Sequence, residues 1–172
     1  VGSVVGVDLT PAMVEKARAD AAEAGVENVS FEVGEATGLP IADDSLDGAI
    51  TRFSLHHIPA PIRVLEEMRR VVKPGGYVVV SDFVTDDDGE SAAWQEQIER
   101  LRDPSHWALL TPSRIAALAE RVGLEPDAAR VVPFEIDFEE WLNRGSGGPA
   151  NAELIERLRA EAPPQAASFA VT

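Results

Sequence analysis

Short apolar runs of period two alternate with stripes of helical period from the first residues of this chain, and the links between them are short. Val4, Val5 and Val7 form a β-branched run that Asp8 ends. Thr10 stands where an N-cap is wanted, and Pro11 takes the first helical position, where its missing N–H costs nothing. Val14, Ala17, Ala21 and Ala24 recur at helical spacing, and Gly25 suits a left-handed C-terminal cap. Val29, Phe31 and Val33 alternate as a strand, and Gly34 to Ser45 reads as a loop carrying EATGLP. Asp47 to Ser54 predicts the next strand. Ile62, Leu65, Met68 and Val72 mark one face of a helix ending at Lys73. Pro74-Gly75-Gly76 predicts a tight turn and Tyr77 to Ser81 a further strand. Strands and helices in this order are satisfied by a parallel sheet covered by helices on both faces.

The rhythm changes after Asp82. Thr85 to Gly89 is acidic and loop-like, and Trp94, Ile98 and Leu101 share a helical face. Asp103 to Trp107 (DPSHW) reads as a turn. Thr111 can cap a helix showing Ile115, Leu118 and Val122, closed by Gly123. Val131 to Phe138 predicts a later strand, Arg144 to Pro149 a flexible loop, and Asn151 the start of a final short helix. No internal repeat and no second domain is visible. Trp94, Trp107, Leu109 and Leu110 suit either an apolar lid or ordinary core packing.

Charge and composition narrow the function. Thirty acids against 15 bases give 172 residues a net charge of -15, which repels nucleic-acid phosphates and anionic membranes. At 45% hydrophobic residues a globular core is expected. No cysteine is present, so these residues hold no disulfide and no thiol nucleophile. No apolar run approaches the ~20 residues of a membrane span, no signal peptide is visible, and a cytoplasmic location is expected. Three histidines, two of them adjacent, make no recognisable metal site.

Four features carry chemistry. Asp8 at a strand end can accept both hydroxyls of a ribose, or serve as an ordinary turn acid. GEATGLP sets an acid and a small residue after a strand, where Glu35 can accept from an exocyclic amine and the Ala36 amide can reach a ring nitrogen. RFSLHHIP puts two histidines after the next strand. VKPGG is a turn whose glycine permits positive φ.

In this order and spacing, VVGVDLTPAM, FEVGEATGLPIADDSLD, AITRFSLHHIPAPIRVLEEMRRVVKPGGYVVVSD and LRDPSHW resemble the class I S-adenosylmethionine-dependent methyltransferases. The likeness is to the small-molecule group that includes the ubiquinone and menaquinone enzymes, and it runs from Val4 to about Val122. It implies an α/β fold, a doubly wound, mostly parallel Rossmann-like sheet with a helical lid inserted after the fifth strand, at 83–112. It implies that Asp8 binds the ribose hydroxyls, that Leu9 and Met13 sandwich the adenine with Ala36 nearby, and that Glu35 accepts from the adenine amine. Glu35 stands where the family usually has Asp. Arg52 and Phe53 end the strand whose backbone contacts the methionine portion in relatives. Arg52 replaces a smaller residue there, so its side chain is expected to turn aside.

The family's glycine-rich loop should precede Val1, and its first strand is central in a sheet order resembling 3-2-1-4-5-7-6. Leaving inner strand edges unpaired costs about 1–3 kcal/mol per buried backbone group. One domain over residues 1–172 is therefore expected to be an interior stretch of a longer protein, with SFAVT stopping short of a final antiparallel strand. The implied activity is methyl transfer from S-adenosylmethionine, with S-adenosylhomocysteine as product, to an oxygen, nitrogen or carbon of a small-molecule acceptor. Where the acceptor must lose a proton, His57 is the first candidate base, then His56, then His106. A nicotinamide-dependent oxidoreductase shares the strand-end acid but leaves GEATGLP, LHHIP and KPGG unexplained. A non-catalytic binding or assembly domain on the same fold is the other alternative.

Overall fold

A computed structural model describes residues 1–133, 135–164 and 166. The chain divides into two compact units, one of Val1–Ala49 with Ala60–Val79, the other of Ile50–Pro59 with the residues from Val80 onward.

In the first unit, β1 (Val4–Asp8) and β2 (Val29–Val33) pair in parallel, with Val4 opposite Val29 and Asp8 opposite Val33. The crossover is α1 (Pro11–Glu23), which buries Val14. Thr10 occupies its N-cap, but the hydroxyl makes no capping bond. The Thr10 amide instead donates to Asp8 Oδ1 at 2.7 Å, so the strand-end acid closes the turn into the helix.

Helix α2 (Pro61–Val71) turns Val64, Leu65, Met68 and Val71 inward. Its outer face carries Arg70, which donates to the Leu39 and Ile41 carbonyls at 3.0 and 2.8 Å and to Asp43 and Glu67. The guanidinium beside Glu67 holds that carboxyl below the usual range, against the opposing effect of burial. The loop between β2 and the next strand is thereby pinned to α2.

Strands β3 (Leu46–Arg52) and β4 (Val72–Ser81) pair as a second two-stranded sheet. These pairings are the 3-2 and 4-5 neighbours of the expected order. The helix ends at Val71 rather than Lys73. Residues 74–76, expected as a separate tight turn, lie within β4. Gly75 takes the bend there with φ 82°. At Gly76 an added Cβ would stand 2.6 Å from both the Asp47 carbonyl and a Val72 methyl, so the strands approach too closely for any side chain.

The second unit holds α3 (Gly89–Arg102), α4 (Pro112–Arg121), α5 (Phe138–Arg144) and α6 (Gly148–Ala160). Trp94, Ile98, Trp141, Leu142 and Ile155 form its buried cluster. Each side chain of leucine size contributes about 1.5–3 kcal/mol there. Trp94 donates its indole N–H to the Leu158 carbonyl at 2.7 Å, and Leu109 is buried, so core packing accounts for both. Trp107 is 48% exposed. Thr111 caps α4 as expected, accepting from the Arg114 amide at 3.1 Å.

Two expectations fail here. Among the described residues, Val131 to Phe138 forms no strand. Pro133 lacks a ladder donor, and Asp137 caps α5 by accepting from the Glu140 amide at 2.9 Å, so Phe138 opens a helix. Phe134 lies outside the described residues, as does the SFAVT segment. The last helix starts at Gly148, with Pro149 in its first turn, and not at Asn151.

Candidate active site

Because β1 and β2 are parallel and in register, their carboxyl ends fall side by side, where open α/β sheets take their ligands. The Gly34 amide donates to the Asp8 carbonyl at 3.0 Å and brings Glu35 and Ala36 to the same edge. Asp8 and Glu35 are exposed, and Leu9 and Met13 beside them are 66% and 52% exposed. Asp8 Oδ1 is engaged by Thr10, while Oδ2 has no partner among the described residues. An exposed acid flanked by two large apolar side chains fits a ribose with its attached base. This edge gathers five of the expected cofactor residues: Asp8, Leu9, Met13, Glu35 and Ala36.

Arg52 and Phe53 belong to the second unit. Arg52 does turn aside, its guanidinium lying 4.4 Å above the Phe53 ring. Phe53 has φ 52°, a conformation a bulky residue adopts at a cost of about 1–3 kcal/mol. It is held by stacking on Phe83 at 4.7 Å and by its amide donating to the Ser81 carbonyl at 2.9 Å.

The strain leads directly into a single turn of 3₁₀ helix, Leu55–His57, which carries both adjacent histidines. Their rings lie 4.1 Å apart, and His106 sits 5.7 Å from His56 and 6.5 Å from His57. All three expected base candidates thus cluster in one unit, yet their surroundings differ.

His56 is buried, and its Nδ1 is bonded to the carboxylate of Asp82, itself 3% exposed. Asp82 also accepts from the His56 amide at 3.3 Å and the Phe83 amide at 2.8 Å. A carboxylate only accepts, so the imidazole proton is assigned to Nδ1 and the lone pair to Nε2. Among the described residues Nε2 has no hydrogen bond. A ring held in one tautomer by a buried acid, with its far nitrogen free, is equipped to take a proton.

His57 is less buried and leans on Ser105, with Nδ1 3.1 Å from the hydroxyl. That hydroxyl donates to Asp103 at 2.7 Å. Burial alone would raise the Asp103 carboxyl, but the Ser105 hydroxyl and amide, then His57 and Arg102, more than offset it and hold it below the ordinary range. His106 is fully enclosed. Its Nε2 lies 3.2 Å from Glu96 Oε2, and Nδ1 has no partner among the described residues. Burial pushes its pKa down, Glu96 opposing.

Asp82 is the residue that sequence reasoning passed over, noted only as the point after which the rhythm of the chain changes. The available signal was topological: adjacent parallel strands place their C-terminal residues together, so an acid ending one strand meets the turn that follows its neighbour. Among the described residues no cluster of histidines and acids could hold a metal, and no helix is long and apolar enough to cross a membrane.

Comparison with known proteins supplies independent observations. A model of the methyltransferase domain matches residues 1–123. The chain is 35% identical over 149 residues to the uncharacterized methyltransferase YcgJ of Bacillus subtilis, covering 87% of this chain and 58% of that protein. The solved structure of YcgJ overlays with a TM-score of 0.89 and 31% identity, covering 96% of this chain and 71% of that one. An arsenite methyltransferase of Halobacterium salinarum is 43% identical over 83 residues, 48% of this chain and 21% of that protein. The 27-O-demethylrifamycin SV methyltransferase of Amycolatopsis mediterranei is 31% identical over 174 residues, 98% of this chain and 60% of that protein. The chain thus spans less than two thirds of the length of these three relatives.

Proposed function

The chain belongs to the methyltransferase domain family, and from that premise we propose that the full-length protein transfers a methyl group from S-adenosylmethionine to a hydroxyl-bearing small molecule, with His56 as general base. The cofactor supplies an electrophilic methyl on a positively charged sulfur. Asp8 accepts from its ribose hydroxyls, Leu9 and Met13 cover the adenine with Ala36 close by, and Glu35 takes the adenine amine. The backbone at Arg52 and Phe53 lines the methionine portion. What remains for the protein is to align the acceptor and strip its proton.

The observation that supports this reading is the buried His56–Asp82 pair. An acceptor that arrives already nucleophilic needs no base. A hydroxyl does, and a neutral imidazole backed by a carboxylate takes its proton as the carbon–oxygen bond forms, the imidazolium being stabilised by Asp82. The rifamycin relative, named for methylation at an oxygen, is consistent with this acceptor class. Arsenite is a soft centre that favours thiolate ligands, and these residues offer none. Sequence reasoning placed His57 ahead of His56. The surroundings favour His56, because His57 rests on a neutral hydroxyl and a carbonyl where His56 faces an acid. Neither an oxidoreductase using nicotinamide nor a non-catalytic domain is favoured by the relatives.

The test uses full-length protein, labelled S-adenosylmethionine and a panel of a hydroquinol, a phenol, an aliphatic alcohol, a primary amine and arsenite. Transfer to a hydroxyl acceptor is expected, with turnover falling by ~10²–10⁴ in His56→Gln and affinity for S-adenosylhomocysteine unchanged. Transfer to arsenite or amine alone, or a His56→Gln enzyme as fast as wild type, overturns the proposal.

A further inference from the structure

A one-turn 3₁₀ helix cannot satisfy its own last carbonyls, and in this fold the His56 carbonyl is met from outside. The Trp107 and Ala108 amides both donate to it, at 2.7 and 3.2 Å. These two residues sit midway in a strap, residues 103–110, that links α3 to α4. The strap buries His106 and Leu109, while Trp107 between them stays 48% exposed. The strap's side-chain anchors lie on α3: Arg100 donates to the Trp107 carbonyl at 2.8 Å, and Glu96, two turns back from the end of the helix, holds the strap at two further points. Glu96 Oε2 lies 3.2 Å from His106 Nε2, and Oε1 accepts from the Leu109 amide. One carboxylate therefore grips the strap on both sides of the two amides that reach His56. Arg100, one turn along the helix, lies 3.3 Å from the same Oε2.

We infer that Glu96 is a positioning residue for the base: it holds the strap against the His56 carbonyl and so fixes the turn from which the His56 ring projects. The inference rests on the proposed role of His56. His56 is held at its amide and ring by Asp82, and at its carbonyl by the strap alone. Loss of Glu96 leaves Asp82 untouched and loosens the third constraint, which Arg100 at the Trp107 carbonyl and the Thr85 amide at the Leu110 carbonyl still support in part. His57 shares the effect, because Ser105 at the start of the strap carries its ring contact. A displacement of about 1 Å at a reacting group can cost up to ~10²-fold in rate without altering affinity for the cofactor.

The experiment compares Glu96→Ala and Glu96→Gln in the full-length protein bound to S-adenosylhomocysteine. Hydrogen exchange is read at the Trp107 and Ala108 amides, and turnover is measured with the hydroxyl acceptor methylated fastest in the panel. In Glu96→Ala both amides should exchange at least about tenfold faster, and kcat should fall about tenfold to a hundredfold with cofactor affinity unchanged. Glu96→Gln keeps an oxygen for the Leu109 amide and an N–H for His106, and should restore protection and most of kcat. Unchanged exchange in Glu96→Ala overturns the inference whatever the activity. So does loosened exchange with wild-type kcat in an enzyme that His56→Gln slows. If His56→Gln itself is as fast as wild type, it is the base assignment that falls, and the exchange data alone then judge whether Glu96 holds the strap.

Discussion

Replacing Asp82 by asparagine removes one charge and changes almost no volume, which isolates what the carboxylate does. Asp82 accepts three bonds, from His56 Nδ1, from the His56 amide at 3.3 Å and from the Phe83 amide at 2.8 Å. An asparagine has one accepting oxygen and one donating amide. If its oxygen keeps the ring and Phe83, its NH₂ confronts the His56 N–H. If it is flipped, its NH₂ confronts the Phe83 amide and drives the ring into the other tautomer. Either way a charge-assisted bond, about 1.5–3 kcal/mol, is lost and a buried donor, about 1–3 kcal/mol, goes unmet. The side chains are 6% and 3% exposed, so solvent screening does not shrink these figures. The sum, about 2.5–6 kcal/mol, brackets the usual cost of breaking a buried pair, about 3–5 kcal/mol. Urea denaturation of the full-length protein should show that loss. Single-turnover methyl transfer should slow by ~10²–10⁴, because the imidazolium loses its buried counter-charge in either orientation and, in the flipped one, Nε2 already carries the proton. A variant with wild-type unfolding free energy and wild-type transfer rate would refute the reasoning, since both effects come from the same three bonds.

Asp8→Ala removes the acceptor proposed for two ribose hydroxyls, so calorimetric affinity for S-adenosylhomocysteine should fall roughly tenfold to a hundredfold; an unchanged dissociation constant would leave Asp8 only its bond to the Thr10 amide. The buried His106 predicts a pH dependence of stability. Its folded pKa lies below the ordinary value of about 6.5, so the unfolded chain binds the proton first as pH falls. Its contribution is complete above that value and is lost as pH drops through the folded one. Unfolding free energy should therefore decline from neutral pH toward pH ~5, and His106→Asn should flatten that decline, whereas equal slopes would show that other groups set it.

How far the fold was legible depended on whether local chemistry or a distant partner decided each element. β1 and β2 read correctly to the residue, because β-branched alternation and an acid or glycine at the end are local signals. The helix faces of α2 and α4 read in part: Leu65, Met68 and Leu118 are buried as expected, while Val64 and Val71 were missed, Val72 opens β4 and Val122 lies just past α4. The Pro74–Gly76 segment did not read correctly. Its turn chemistry is genuine, as φ 82° at Gly75 shows, but pairing with β3 carries the strand through it, and that pairing is a tertiary fact. Val131 to Phe138 shows the converse. The alternation suits a strand, yet Val131 and Val132 are 68% and 73% exposed and no neighbouring strand meets them among the described residues. Alternation proposes a strand, and only a partner makes one.

The site divides in the same way. That Asp8 and Glu35 share one sheet edge was legible, because parallel register must bring the ends of neighbouring strands together. The choice between His56 and His57 was not, since adjacent residues with identical side chains carry the same local signal. In a 3₁₀ turn, with three residues per turn, neighbours point about 120° apart, so two adjacent imidazoles necessarily meet different partners. One direction leads to Asp82, 26 positions later, and the other to Ser105, 48 positions later. The carboxylate fixes a tautomer and can stabilise an imidazolium; the serine, already donating to Asp103, does only the first. Under the proposed function, the double histidine is one base and one brace rather than two interchangeable bases. The distinction is set by Asp82, just past the end of β4, and by the strap that Glu96 helps to hold, neither of which a window around LHHIP contains.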